Sequence, residues 1–204
     1  MPRQGHVDSG LNYSQPDTLQ PPYGHEAEDP PFEPCDTVTC RASDANLSTS
    51  SEEVSARIAR PYGPPGGVVN MGDSIIDVAH PFWEVAGIGT PAGNEIVDKV
   101  GIGSGWSEGA LHITCETRWI MPDPITGTKR KLTCQYTAQY MSIGGDSGAP
   151  TFRINADGKT TLLGINWGHL HIADGAYADA VFSPMVDGVE GELADLFLCS
   201  TSSC

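Results

Sequence analysis

Glycine and proline interrupt this chain so often that long helices have no room in it. Twenty-four glycines and 16 prolines are spread along 204 residues. Glycine loosens regular elements and proline breaks them, so the chain reads as many short strands joined by turns. Apolar runs bounded by turn residues place strands at 74–79, 95–102, 110–119, 131–136, 149–154, 161–167 and 180–182. Asn155-Ala156-Asp157-Gly158 is a turn signal between two of them. Residues 1–34 are polar and proline-rich and read as extended loop, with one short strand at 10–14. The stretch 50–60 reads as one helical turn or a loop, 61–67 as a turn-rich connection, and 186–198 as a short terminal helix. No internal repeat is present. The fold class expected from this pattern is an antiparallel all-β sandwich or barrel.

The chain carries 26 acidic and 11 basic residues, a net charge of −15. That balance disfavours nucleic acid and anionic membranes as partners and favours solubility, in keeping with a monomer. No apolar run reaches the about 18 residues of a membrane helix, and the first residues have no signal-peptide core. The six cysteines fall into sequence-local couples: Cys35 with Cys40, Cys115 with Cys134, Cys199 with Cys204. Such an even set suggests disulfides and an oxidising, extracellular setting, although six cysteines permit 15 pairings. Free structural thiols are the alternative. No C-x₂-C pair supports zinc.

The chemistry-bearing run is Gly144-Gly145-Asp146-Ser147-Gly148-Ala149-Pro150. A serine hydroxyl attacks a carbonyl productively only where something holds the oxyanion that forms. A tight, glycine-permitted turn can aim two backbone N–H groups at it, and those of Gly145 and Ser147 are the candidates. Gly144 and Gly148 would let a substrate backbone approach. Gly, Asp and Ser are also ordinary turn residues, so a plain β-turn is the competing account.

Around this loop lie Val100-Gly101-Ile102-Gly103-Ser104-Gly105-Trp106, Leu163-Gly164-Ile165-Asn166-Trp167-Gly168 and Val181-Phe182-Ser183-Pro184. Together with Ser147 they resemble the second barrel of the trypsin-like, chymotrypsin-fold serine endopeptidases, most of all the secreted bacterial members. The resemblance implies two antiparallel β-barrels, with a short C-terminal helix and an incomplete first barrel. Residues 1–85 would be the remnant of the first barrel carrying the triad acid. Residues 86–204 would be the second, carrying the nucleophile and the substrate-binding strand. It further implies Ser147 as nucleophile, Gly145 and Ser147 as oxyanion donors, and Asn166, Trp167 and Gly168 as an edge strand pairing with a polypeptide substrate. Met141 falls at the base of the primary specificity pocket and implies an apolar residue before the cut bond. Asp146 would fix the loop through a buried ion pair or hydrogen bond. No cofactor or metal is implied.

Serine needs a histidine to take its proton and a carboxylate to orient that histidine. Asp44, in Ser43-Asp44-Ala45-Asn46-Leu47, resembles the family's acid segment D-A-A-L, whereas Asp73 and Asp77 lack the apolar follow-on. Only His6 and His25 precede Asp44, and neither sits in a T-A-x-H-C context. His169 and His171 follow Asp44, in the wrong order for this family, and share a face if they lie on a strand. The expectation is therefore a serine endopeptidase whose catalytic histidine is absent from the sequence given, as if the chain began downstream of it. A non-catalytic, protease-like peptide-binding module is the rival. An unrelated acidic β protein that binds carbohydrate or surfaces is a third reading.

Overall fold

The computed structural model describes residues 12–13, 24–50, 55–171 and 177–193. Thirteen strands are present: β1 (Asn12–Tyr13), β2 (Gly24–Glu28), β3 (Glu33–Cys35), β4 (Val38–Arg41), β5 (Leu47–Ser50), β6 (Arg57–Ala59), β7 (Phe82–Ile88), β8 (Ile96–Gly101), β9 (Gly105–Ile120), β10 (Arg130–Ala138), β11 (Pro150–Ile154), β12 (Thr160–His171) and β13 (Tyr177–Pro184). An irregular turn over Met185–Val189 leads into the short helix α1 (Glu190–Leu193).

Strands β8 to β13 close on themselves. β8 pairs with β9, β9 with β10, β10 with β13, β13 with β12, β12 with β11 and β11 with β8, all antiparallel. Closure removes free strand edges. The strands alternate, so one face points inward: Val97, Leu111, Tyr136, Leu163 and Phe182 form the barrel core. A second cluster, Ile58, Trp83, Val85 and Phe152, packs β6 and β7 against β11. β7 runs parallel to the start of β12.

The earlier strands do not close among the described residues. β1, β2 and β5 make a three-stranded antiparallel sheet. β3 and β4 form a hairpin whose second strand pairs in parallel with the start of β10, at Arg130–Leu132, beyond the part of β10 that pairs with β13. The expected all-β class and the short terminal helix are observed. The Cys35–Cys40 bond ties the β3–β4 hairpin and Cys115–Cys134 ties β9 to β10. Cys199 and Cys204 lie outside the described residues, as does His6.

Some sequence expectations need correcting. Residues 74–79 form no strand; they are an irregular, exposed loop with one isolated bridge, Pro61 to Ile76. Ile75 and Val78 are 72% and 93% exposed, so β-branched composition here had no neighbouring strand to act on. Strand β7 was not anticipated, and neither were the polar strands β2 to β5. Part of the stretch suggested as helical turn or loop is strand: β6 occupies 57–59. Among the described residues helix α1 covers Glu190–Leu193, within the predicted 186–198, of which 194–198 lie outside the described residues.

Candidate functional site

Asp146 organises the loop around Ser147. Its carboxylate accepts hydrogen bonds from the Ile143 N–H (3.0 Å), the Gly103 N–H (2.8 Å), the Ser104 N–H (3.1 Å) and the Ser104 hydroxyl (2.7 Å). It also pairs with the Lys99 ammonium at 2.9 Å, both side chains fully buried. Lys99 reaches it from β8 and also donates to the Ser104 hydroxyl. The β8–β9 turn can come this close because it is glycine-rich: a Cβ on Gly101 would lie 2.2 Å from an Asp146 carboxylate oxygen. Burial by itself would raise the Asp146 pKa; the Ile143 amide, Lys99 and Ser104 hold it below the usual carboxylate range instead. Burial pushes the Lys99 ammonium down, against the pull of Asp146. Asp146 thus has the loop-fixing ion pair expected of it. Lys99 and Ser104 were not foreseen as its partners; a lysine inside the apolar run Ile96-Val97-Asp98-Lys99-Val100 was the available signal.

With Asp146 pulled inward, the next residue turns outward. Gly145 has φ +101°, a left-handed conformation that glycine adopts without strain. Ser147 is exposed. Its hydroxyl donates to the Trp167 carbonyl oxygen at 3.3 Å. Among the described residues no acceptor takes the N–H of Gly145 or of Ser147. A Cβ on Gly144 or Gly148 would meet nothing within 4 Å, so the loop surface is open on that side.

Strand β12 passes beside this loop. Asn166 N–H donates to the Ala149 carbonyl (2.9 Å), and the Gly148 N–H donates to the Asn166 carbonyl (2.8 Å). Pairing with β11 ends at Ile165, whereas pairing with β13 continues to His171. Beyond Asn166, one edge of β12 has no strand partner among the described residues. The Asn166 side chain, 1% exposed, donates to the Ser142 hydroxyl (3.0 Å) and the Asp146 carbonyl (3.2 Å). Met141 is buried, and its carbonyl accepts from the Ser104 and Ser107 hydroxyls, each at 3.1 Å. Trp167 and Gly168 are half-buried.

Asp44 lies in the half-buried segment after β4. The segment is anchored mainly by side chains. Glu192 of α1 accepts from the Arg41 guanidinium (3.2 Å), the Ser43 N–H (3.0 Å), the Ser43 hydroxyl (2.6 Å) and the Ala42 N–H. Arg41, itself buried, pairs with Asp29 at 2.7 Å and donates to the Ala45 carbonyl. The Asp44 N–H donates to the Ser183 hydroxyl of β13 at 3.0 Å. Ser183 and Trp167 share an acceptor, the Gln135 side-chain oxygen, at 2.8 and 2.7 Å. Asp44 and Ser147 are therefore joined by an unbroken run of contacts through Ser183, Gln135 and Trp167.

Among the described residues, three histidines have the following surroundings. His25 is exposed on β2, His80 pairs with Asp77 at 3.4 Å, and His112 pairs with Asp179 at 3.3 Å. His169 and His171 lie on β12, and none of the described histidines hydrogen-bonds the Ser147 hydroxyl. Among the described residues no group of three potential metal ligands occurs and no helix is long and apolar enough to cross a membrane.

No family model and no curated protein matches the sequence. Solved structures do match in shape. Thermobifida fusca Protease A shares 17% identity at a TM-score of 0.55, covering 89% of this chain and 74% of its own. A glutamic acid specific serine protease, described as using a histidine triad in substrate binding, shares 14% at a TM-score of 0.56, covering 88% of this chain and 76% of its own. A chymotrypsin of Cellulomonas bogoriensis shares 14% at 0.54, covering 87% and 76%. The fold of this chain, with its closed six-stranded barrel, is the chymotrypsin fold of the bacterial serine proteases it resembles in shape.

Proposed function

We propose that the chain is the body of an extracellular serine endopeptidase that cleaves polypeptides through an acyl-enzyme on Ser147. The observation that carries this reading is an exposed Ser147 hydroxyl beside two N–H groups, of Gly145 and Ser147, that no acceptor among the described residues takes. A surface turn without catalytic use has no reason to bring Lys99, Ser104 and two glycines together beneath its aspartate. In the reaction a histidine takes the Ser147 proton, and Asp44 orients that histidine and balances the charge it gains. The Ser147 oxygen attacks the peptide carbonyl, whose developing oxyanion is held by the two amides. The histidine then returns its proton to the leaving amine, and water hydrolyses the ester by the same route. Asn166, Trp167 and Gly168 present the unpaired edge of β12 to the substrate main chain, and Met141 favours an apolar residue before the cut bond. Two disulfides support the oxidising compartment.

The rival, a peptide-binding module that keeps the cleft but performs no chemistry, is favoured by one observation: no described histidine reaches Ser147. A fluorophosphonate probe separates the two. Free imidazole can act as the base that takes the Ser147 proton, so the chain should label slowly at Ser147 and faster when imidazole is added. The Ser147→Ala variant should stay folded and unlabelled. A folded chain that does not label in either condition would be the binding module. Fast labelling without imidazole would instead assign the base to a histidine of this chain.

A further inference from the structure

We propose that Gln135 is a positioning residue for the reaction above: its buried amide sets the segment carrying Asp44 against the strand beside Ser147. The inference rests on the assignment of Asp44 and Ser147 as triad acid and nucleophile.

Gln135 lies on β10 and is fully buried. A glutamine amide has two donor hydrogens and an oxygen with two lone pairs. Here all four positions are used. The nitrogen donates to the carbonyls of Ala42 (2.7 Å) and Thr133 (2.7 Å). The oxygen accepts from the Ser183 hydroxyl (2.8 Å) and the Trp167 indole N–H (2.7 Å). The orientation of the amide is forced. Carbonyls can only accept and an indole N–H can only donate, so a flipped amide would lose three of these bonds to like-on-like contacts. One planar group therefore joins the Asp44 segment, β10, β12 and β13. Two of its neighbours touch the residues in question directly: Ser183 receives the Asp44 N–H, and the Trp167 carbonyl receives the Ser147 hydroxyl.

A local irregularity delivers the side chain to this place. The β9–β10 register shifts between Leu132 and Gln135, and Cys134 has φ +54°. Such a bulge re-aims the following side chain, and the Cys115–Cys134 bond holds it in place. Gln135 meets the underside of the Ala42–Asp44 segment, where an uninterrupted ladder would continue the alternation set by Leu132. No strand pairing joins the Asp44 segment itself to β12. Its alignment with Ser147 depends on this side-chain junction, and in a low-dielectric interior a fully satisfied polar junction selects one arrangement.

The test uses Gln135→Glu, which keeps the shape and removes both donor hydrogens, and Ser183→Ala, which removes a single link. The readouts are Ser147 labelling by a fluorophosphonate with and without imidazole, and the Trp167 indole N–H resonance. Slow labelling without imidazole needs only the hydroxyl and the oxyanion amides. Acceleration by imidazole also needs Asp44 in place to orient it. Gln135→Glu should cut the imidazole acceleration about tenfold or more and leave the imidazole-independent rate within about twofold. Adding Asp44→Ala should then cost little further. A merely structural role would lower both rates together, and that result, or an undiminished acceleration, overturns the proposal. Ser183→Ala should shift the Trp167 indole resonance although Ser183 does not hydrogen-bond Trp167; an unmoved resonance also overturns it. Absence of any labelling in the parent chain would refute the hydrolase assignment instead, while the resonance still reports on the junction.

Discussion

In the ring β8–β13 every strand has a strand on both sides, whereas the segment that carries Asp44 is held by a helix glutamate and a glutamine reaching from elsewhere and by the arginine at its own start. Both contribute to one candidate site, yet they are built from different forces. The ring draws on main-chain pairing and an apolar core, which cooperate along the whole barrel. The Asp44 segment draws on a handful of directional, charge-assisted bonds, each removable by one substitution. Ser147, the proposed nucleophile, thus borders the self-supporting part of the molecule, and Asp44, the proposed acid, lies in the dependent part.

The sharpest way to challenge this comparison lies inside the ring. Asp146→Ala leaves the fully buried Lys99 without its partner and strips the Ile143, Gly103 and Ser104 amides of their acceptor. Breaking such a pair costs about 3–5 kcal/mol, measurable by urea unfolding; a loss below about 1 kcal/mol would mean that the loop does not depend on the ion pair. Because its folded pKa is depressed, the Asp146 contribution is present above the ordinary carboxylate range and is lost as pH falls through the lowered value.

A second substitution should strengthen the ring. Asp98 on β8 is buried, faces Glu108 across the ladder and accepts the Trp106 indole N–H at 2.8 Å. Burial, with a smaller push from Glu108, raises its pKa to about 6. A raised carboxylate pKa means the fold prefers the protonated form, so stability is greatest below about pH 4 and declines as pH rises to about 6. Asp98→Asn keeps an acceptor for Trp106 and removes the charge. It should raise stability at pH 7.5 by up to about 3 kcal/mol and leave it unchanged at pH 4. Melting curves at the two pH values check this, and an equal effect at both would rule out the titration.

The smallest effect is the most specific. Glu192→Gln weakens the anchor of the Asp44 segment and should cost about 1–2 kcal/mol. Amide hydrogen exchange should quicken over residues 41–45 while the ring stays protected. If both regions quicken together, they form one cooperative unit and the contrast between them fails.

The strands of the ring were readable because each is an apolar run closed off by turn residues; Ile96–Gly101 and Pro150–Ile154 fall within a residue or so of their predicted limits. The serine turn was readable because its glycines are a local requirement. The run at 74–79 misled because Ile75, Ile76 and Val78 look like a strand whether or not a partner strand exists. Strands β2 to β5 were missed because they are short and mostly polar. The partners of Lys99 and Gln135 could not be recognised, since they lie far along the chain: Asp146 is 47 residues from Lys99, and Ala42 is 93 from Gln135; only the apolar run around Lys99 hinted that it is buried.

By itself, then, the order of residues determined an all-β chain and a glycine-bounded turn that presents Ser147, and suggested the local couples Cys35–Cys40 and Cys115–Cys134 that are bonded. Only the tertiary structure decided that the ring closes, that Lys99 lies under Asp146, and that Gln135 stands between Asp44 and Trp167. The reason is range. Turn and strand preferences are set by steric limits on a few consecutive residues, whereas burial and hydrogen-bond satisfaction depend on which distant segments the fold brings together.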